Sequence, residues 1–471
     1  MGNRRRTVSI HILDDDSLLH MFYLYRPLFR DEDGPADWRY SGRWWYALAH
    51  VCRRWRNILL RSATYLGLSL LCTYGTHVPD ILAHSPPLPL DVGYFIENRE
   101  LTTEDEEGII LALKQHDRVH RVRLHSVGSI VQKLIMAMDE ECPILEFLYI
   151  SSSIEDNTTV LRFPESFQAP HLRYISLGSF ALPIASRLLT TAVGLVTLHL
   201  FMAHPFTYFH PNTLVQWISL MPQLEALEIG FDFSIPKRDV ESQLTHTPII
   251  APIMLPNLHH LGFHGVSTYL EALVHRITAP RLKKLFIEFS NQLTLSVPRL
   301  LQFIIAAENF RLGNAVLSFD DKSVDAGVYS YGETDVYALG IVMTCCHLDW
   351  QASSVAQICN SLSQIFSAVE HLTLQHEVHS ESSEEHNDVD HTEWRKLLRP
   401  FSNMKTLRIA EGLVKDVSRC LELEDIGLHL ELLPELVGLE YFGDTGDAFT
   451  SFVDARRKAG HPITLVRVYR L

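Results

Sequence analysis

Residues able to hold a metal ion crowd into one stretch, QHEVHSESSEEHNDVDHTEW, in which His376, His379, His386 and His391 stand among seven carboxylates. Imidazole and carboxylate are metal-binding groups, so this composition has the means to bind a divalent ion loosely. Its low apolar content argues the other way, because a segment with little to bury does not fold. Residues 377–393 are therefore expected to be a disordered acidic insertion, and neither a metal site nor a cofactor is assigned. Ser380, Ser382 and Ser383 precede acidic residues, a pattern that suits acidophilic phosphorylation.

The other reactive groups point away from catalysis. Seven cysteines, an odd number with no C-x-x-C spacing, read as free thiols in a reducing compartment. The opening MGNRRRTVS is too polar for a secretory signal, and no apolar run reaches the length of a bilayer span, so the expected location is cytoplasmic or nuclear, without a membrane partner. There is no Walker loop, no G-x-S-x-G and no H-E-x-x-H. TDVYALGIVM, residues 334–343, resembles a late helix of protein kinases, but no Gly-rich loop, His-Arg-Asp or Asp-Phe-Gly precedes it. The chain is expected not to be an enzyme.

Composition sets the remaining bounds. With 471 residues, 46% of them hydrophobic, the chain can bury a large core, and its length suggests about three domains unless a repeat merges them. The net charge of −15 disfavours a nucleic-acid backbone as partner, since that affinity comes from Lys and Arg releasing counterions. The acidic insertion holds seven of those charges, which leaves −8 for the rest.

The elements that would position a binding surface begin with IHILDDDSLLHMFYLYRP, where Asp14 to Asp16 form an acidic N-cap cluster and Leu18, Phe22 and Tyr25 follow at helical spacing until Pro27. In ALAHVCRRWRNILLR and the residues just before it, Trp45, Leu48, Cys52, Trp55 and Leu59 recur at steps of 3 and 4, one apolar stripe on one helical face. Arg53, Arg54 and Arg56 fall mostly off the stripe, where stems cover apolar neighbours and heads stay in water. Two short helices bury too little to stand alone and need a partner.

These two segments resemble the F-box, the helical module by which substrate receptors dock on the Skp-family adaptor of cullin-RING ubiquitin ligases. The likeness covers about residues 10–61, and the run Val51, Cys52, Arg53, Trp55 and Arg56 is its most specific part. The family's Leu-Pro start is here Leu13-Asp14, and Ser17 stands where Leu is common. DWRYSGRWW and SPPLPLDVGYF also resemble segments of the large F-box families of basidiomycete fungi. The resemblance implies an apolar core and adaptor-facing surface made of Leu13, Leu18, Leu19, Met21, Phe22, Val51, Cys52, Trp55 and Leu59.

The rest of the chain repeats itself. The pattern apolar-x-x-apolar-x-apolar starts at Val119, Leu145, Leu172, Leu195, Leu224, Leu258, Leu282, Leu312, Val336, Val369, Met404, Leu436 and Ile463, and six of these thirteen anchors have a proline two positions before them. Proline suits the first position of a strand or the turn before it. The reading is an α/β chain: an F-box-like helical domain over 8–62 with an internal loop at about 26–44, a connecting segment over 63–115, and an irregular leucine-rich-repeat-like solenoid of about 13 strand units over 116–471. In each strand the anchors point inward and alternate residues outward. The outward set includes Phe147, Tyr149, Tyr174, His199, Phe201, His260, His264, Lys284, Phe286, His371 and Arg408; of these Tyr149, Tyr174, Phe201, His260, His264, Phe286 and Arg408 are assigned to target binding.

The resemblance implies a non-catalytic substrate receptor, joined to a cullin through the Skp-family adaptor and holding an unknown target protein for ubiquitin transfer. The alternative is a repeat scaffold or ligand-binding protein whose helical module no longer binds an adaptor.

Overall fold

In the computed structural model the described residues are 13–27, 43–95, 102–152, 160–232, 252–290, 295–307, 312–330, 337–345, 348–377, 391–422, 432–443 and 448–468. Most of the loop at 26–44, the anchor Val336 and positions 378–390 of the acidic insertion lie outside them. The insertion's two ends are regular: Glu377 closes a strand and His391 opens a helix. The chain divides into two compact units, Met1–Leu195 and Val196–Leu471.

The first unit opens with helices α1 (Asp15–Tyr25), α2 (Trp44–Ala49) and α3 (Arg53–Arg61). Asp14 caps α1 by accepting from the Ser17 amide at 2.7 Å, which starts the helix. The stripe from Trp45 to Leu59 does not lie on one helix. Cys52 is extended, and its sulfur accepts from the Trp55 amide as the cap of α3, which breaks the run after α2.

Five parallel strands follow in sequential order: β1 (Leu70–Thr73), β2 (Leu90–Phe95), β3 (Val119–Ser126), β4 (Phe147–Ser152) and β5 (Tyr174–Gly178). The ladder thus begins at Leu70, inside the segment 63–115 read as a connector. Neither β1 nor β2 has the repeat's proline turn, so pattern matching passes over them.

In the second unit the strands are β6 (Thr197–Met202), β7 (Ala226–Phe231), a short β8 (Ile253–Met254), β9 (His260–Gly265), a short β10 (Ile277–Thr278), β11 (Lys284–Ser290), β12 (Leu312–Asp320), β13 (Ser323–Ser330), β14 (Tyr337–Thr344), β15 (His371–Glu377), β16 (Thr406–Ile409), β17 (Gly438–Phe442) and β18 (Thr464–Val468). β8 and β10 pair only with each other; the others run β6-β7-β9-β11-β14-β13-β12-β15-β16-β17-β18. Every pairing there is parallel except those of β13, which is antiparallel to both neighbours.

The proline turns have one geometry. The N–H of each anchor donates to the carbonyl three residues back: Leu145 to Cys142, Leu172 to Ala169, Leu224 to Met221, Leu258 to Leu255, Leu282 to Ala279 and Leu436 to Leu433. Pro143, Pro170, Pro222, Pro256, Pro280 and Pro434 therefore occupy the second position of a β-turn, where a φ near −65° is already set. Leu195 and Met404 close the same turn without proline. The next residue then donates to its counterpart one repeat earlier, Arg173 to Glu146, Glu225 to Val196, His259 to Glu225 and Lys283 to His259, which locks the register. Among the described anchors, Val119, Leu145, Leu172, Leu195, Leu224, Leu258, Leu282, Val369 and Met404 are buried to 1% exposure or less, and helices such as Gly128–Ile135 and Ser267–Val274 pack on the neighbouring strands β3, β4 and β9.

The anchors Leu312 and Val336 predict two successive repeats. The structure instead places β14 beside β11 and β12 beyond β13, so the order of the two is reversed and a third strand stands between them. The cause is a tight turn: the Asp320 carboxylate accepts from the Lys322 and Ser323 amides and from the Ser323 hydroxyl, and folds the chain back as a hairpin. Of the kinase-like stretch, the described residues 337–343 lie in strand β14 and not in a helix.

Candidate interaction surfaces

Nine N-terminal residues carried the docking expectation, and the structure sorts them by burial. Leu18, Phe22 and Leu59 form the core of the helical cluster, with the Phe22 ring edge-on to Trp55 at 5.0 Å. Leu13, Leu19, Cys52 and Trp55 are half-buried, whereas Met21 and Val51 are exposed. Leu24 and Tyr25 on α1 are exposed too, at 69% and 63%, and were not foreseen because an isolated helical wheel cannot tell which flank a neighbour covers. The arginines are largely occupied by the fold. Arg54 pairs with Asp15 at 2.6 Å and donates to the Leu13 carbonyl, and Arg56 donates to the Ala49 carbonyl. Arg53 and Arg61 line a cleft of about 420 Å³ with Asp16, Leu19 and Asn57.

On the strands of the first unit, the face opposite the anchors carries rows set by register. One runs Asp91, Arg121, Phe147, Tyr174; the next runs Gly93, Arg123, Tyr149, Ser176; the third runs Phe95, His125, Ser151. Phe147 and Tyr174 stack at 4.2 Å, and the guanidinium carbons of Arg121 and Arg123 lie 5.1 and 4.5 Å from the Phe147 centroid. Phe147 is thereby buried although it faces outward. Tyr149 lies near Phe95, and Phe95 stacks on His125. Of the target-binding residues expected here, Tyr149 and Tyr174 are half-buried members of this aromatic set. Arg121, Arg123 and Phe95 were missed, though alternation along β2 and β3 marks them. His120 lies between Asp91 and Glu146, 3.6 and 3.5 Å away. Burial works against its charge, but the two carboxylates outweigh burial and raise its pKa.

The corresponding face in the second unit holds the other five. Phe201 and Phe286 are exposed and lie across Gly230 and Gly340, which leave room for their rings. His260 contacts Glu228 at 2.9 Å, while His199 stands 3.8 Å from the same carboxylate. The hydrogen bond with His260 holds Glu228 below the usual carboxylate range, and burial keeps the His199 pKa low. His264 meets Glu288. Arg408, exposed, is paired with Glu440 through two nitrogens at 2.9 and 2.8 Å. Beside that pair a trough of about 640 Å³ crosses β13, β12, β15 and β16, lined by Asn314, Val316, Tyr329, His371, Thr373 and Gln375 among others. The repeat's alternation marks His371 and Arg408 in its lining, but not Asn314, Val316 and Tyr329, which the hairpin strands bring beside them. Among the described residues no group of three or more His, Cys, Asp or Glu is placed to hold a metal, and no helix is long and apolar enough to cross a membrane.

No family model matches the chain, and no curated protein matches it. Among solved structures it is similar to the leucine-rich repeat-containing protein LegL7 from Legionella pneumophila, with 10% identity, a TM-score of 0.25, and coverage of 86% of this chain and 91% of that one. An overlay that loose carries no argument about function. The chain's own ladder of parallel strands, proline turns and helical returns carries the repeat character.

Proposed function

We propose that this chain is a recognition adaptor: the helical cluster α1–α3 docks on a Skp-family adaptor of a cullin-RING ligase, and the open strand faces hold a target protein. The observation that carries the reading is the uncovered apolar set Met21, Leu24, Tyr25 and Val51, on a cluster whose Leu18, Phe22 and Leu59 already form a core. Exposed apolar groups collected on one small cluster mark a contact surface. On the strands, the open face brings Tyr149 and Tyr174 beside Arg121 and Arg123, and Tyr and Arg are among the residue types enriched where binding energy concentrates. No chemistry is required of such a chain, because tethering a target near a charged ubiquitin carrier raises its effective concentration.

Co-purification of the full chain with a Skp-family adaptor tests this, beside a Met21→Asp/Val51→Asp variant. Both positions are exposed, so the variant is expected to keep its circular dichroism spectrum and melting temperature and to lose the adaptor. Failure of the wild-type chain to retain the adaptor would remove the ligase reading and leave a repeat scaffold.

A further inference from the structure

On β11, Glu288 and Ser290 are two residues apart and share the open face, and His264 on β9 is registered directly opposite Glu288. The imidazole uses both nitrogens: Nδ1 lies 3.1 Å from Glu288 Oε2 and Nε2 lies 3.0 Å from Ser290 Oγ. A carboxylate beside Nδ1 favours the proton there, so the Nε2 lone pair faces the serine hydroxyl, which donates to it. Nucleophile, base and orienting acid thus stand in the relation that activates serine in acyl transfer. His264 and Glu288 are 29% and 30% exposed, open enough for a small molecule to approach and shielded enough to hold their geometry. Gly265, at φ +152°, turns the backbone directly after His264 in a conformation that residues with a side chain rarely adopt. Thr344, exposed on β14 and registered with Ser290, brings a second hydroxyl to the next position in the row.

We propose that Ser290, His264 and Glu288 form a nucleophilic centre that accepts acyl groups from small esters. Ser290 Oγ bonds to the ester carbonyl carbon as its proton passes to His264 Nε2, with the Thr344 hydroxyl donating to the oxygen that becomes negative. The carbon–oxygen bond to the alcohol breaks, and the alcohol leaves with the proton from Nε2. Water then gives a proton to Nε2, attacks the acyl carbon and releases the carboxylic acid, and Ser290 recovers its proton. Residues from two strands 20 or more positions apart leave no contiguous motif, which is why motif scanning passes over them.

The test is labelling of the full chain with a fluorophosphonate probe, followed by peptide mass mapping, in wild type, Ser290→Ala, His264→Gln and Glu288→Gln, each checked by circular dichroism. The expected result is modification of Ser290 in wild type and loss of that modification in Ser290→Ala. His264→Gln is expected to slow it roughly a hundredfold, the scale of one general base. Glu288→Gln is expected to shift the pH profile of labelling as well as its rate, which a purely structural role would not do. Absence of label on Ser290 in the folded wild-type chain, or equal labelling in folded His264→Gln, overturns the proposal. The outcome is independent of adaptor binding.

Discussion

At the scale of single residues, neighbours in one helix have separate roles. Leu18 is fully buried and Met21, three positions on, is 45% exposed. Leu18→Ala is expected to cost about 2–5 kcal/mol by leaving a cavity, whereas Met21→Ala should stay within about 0.5 kcal/mol; denaturant melts of the two variants decide this. Gly327 makes a complementary case on the strands. A Cβ there would overlap the Tyr337 ring, which lies across it and interacts with Asp325 and Tyr329. Gly327→Ala should therefore destabilise by about 1–3 kcal/mol, and a Gly327→Ala/Tyr337→Ala double variant should be less impaired than the two single effects added together. Additive losses would show that the overlap is not the cause.

At the scale of elements, the repeat is held by its turns as much as by its strands. Pro256 and Pro280 sit at the second position of turns whose closing bonds are 3.3 and 3.2 Å. Because proline restricts the unfolded chain at no cost to this geometry, Pro256→Ala and Pro280→Ala should each lower stability by about 0.4–1 kcal/mol, with folded-state spectra unchanged. Equilibrium unfolding in urea would reveal the effect, and no change in midpoint would mean that the prolines do not work through the unfolded state. The hairpin β12–β14 follows different rules. Its turn is built on Asp320, and its strands alternate as FDDKSVDAGVYS does, a signal present in the sequence but hidden under the period of the parallel repeat.

At the scale of the whole molecule, pH acts in two directions. Glu228 is held below its ordinary pKa by His260, so its contribution is present above the unfolded carboxylate value and is lost as pH falls through the folded one. His199, kept low by burial, also opposes folding in acid, since the unfolded imidazole takes the proton first. His120 is the reverse: its pKa is raised, so its contribution is full below the ordinary imidazole value and is lost as pH rises through the raised one. Melting curves taken between about pH 7.5 and 5.5, on either side of the ordinary imidazole pKa, should show a smaller acid-induced loss in His199→Asn than in wild type. In His120→Asn the loss should be larger, because a group that stabilises on acidification is gone. Unchanged differences would remove both histidines from the account.

By itself the sequence determined the period of the repeat, the buried anchors, the prolines that close its turns and the cap at Asp14, because each depends on residues within one turn or one strand. Residues such as Tyr149, Phe201 and Phe286 were legible as outward-facing by alternation alone. Tertiary structure decided which residues meet across strands: Arg121 and Arg123 over Phe147, Glu228 between two histidines, His264 between Glu288 and Ser290. It also decided the reversed order of β12 and β14, the break at Cys52 and the exposure of Leu24 and Tyr25. Register and burial are set by packing between segments far apart in the chain, and no local pattern of residues encodes that distance.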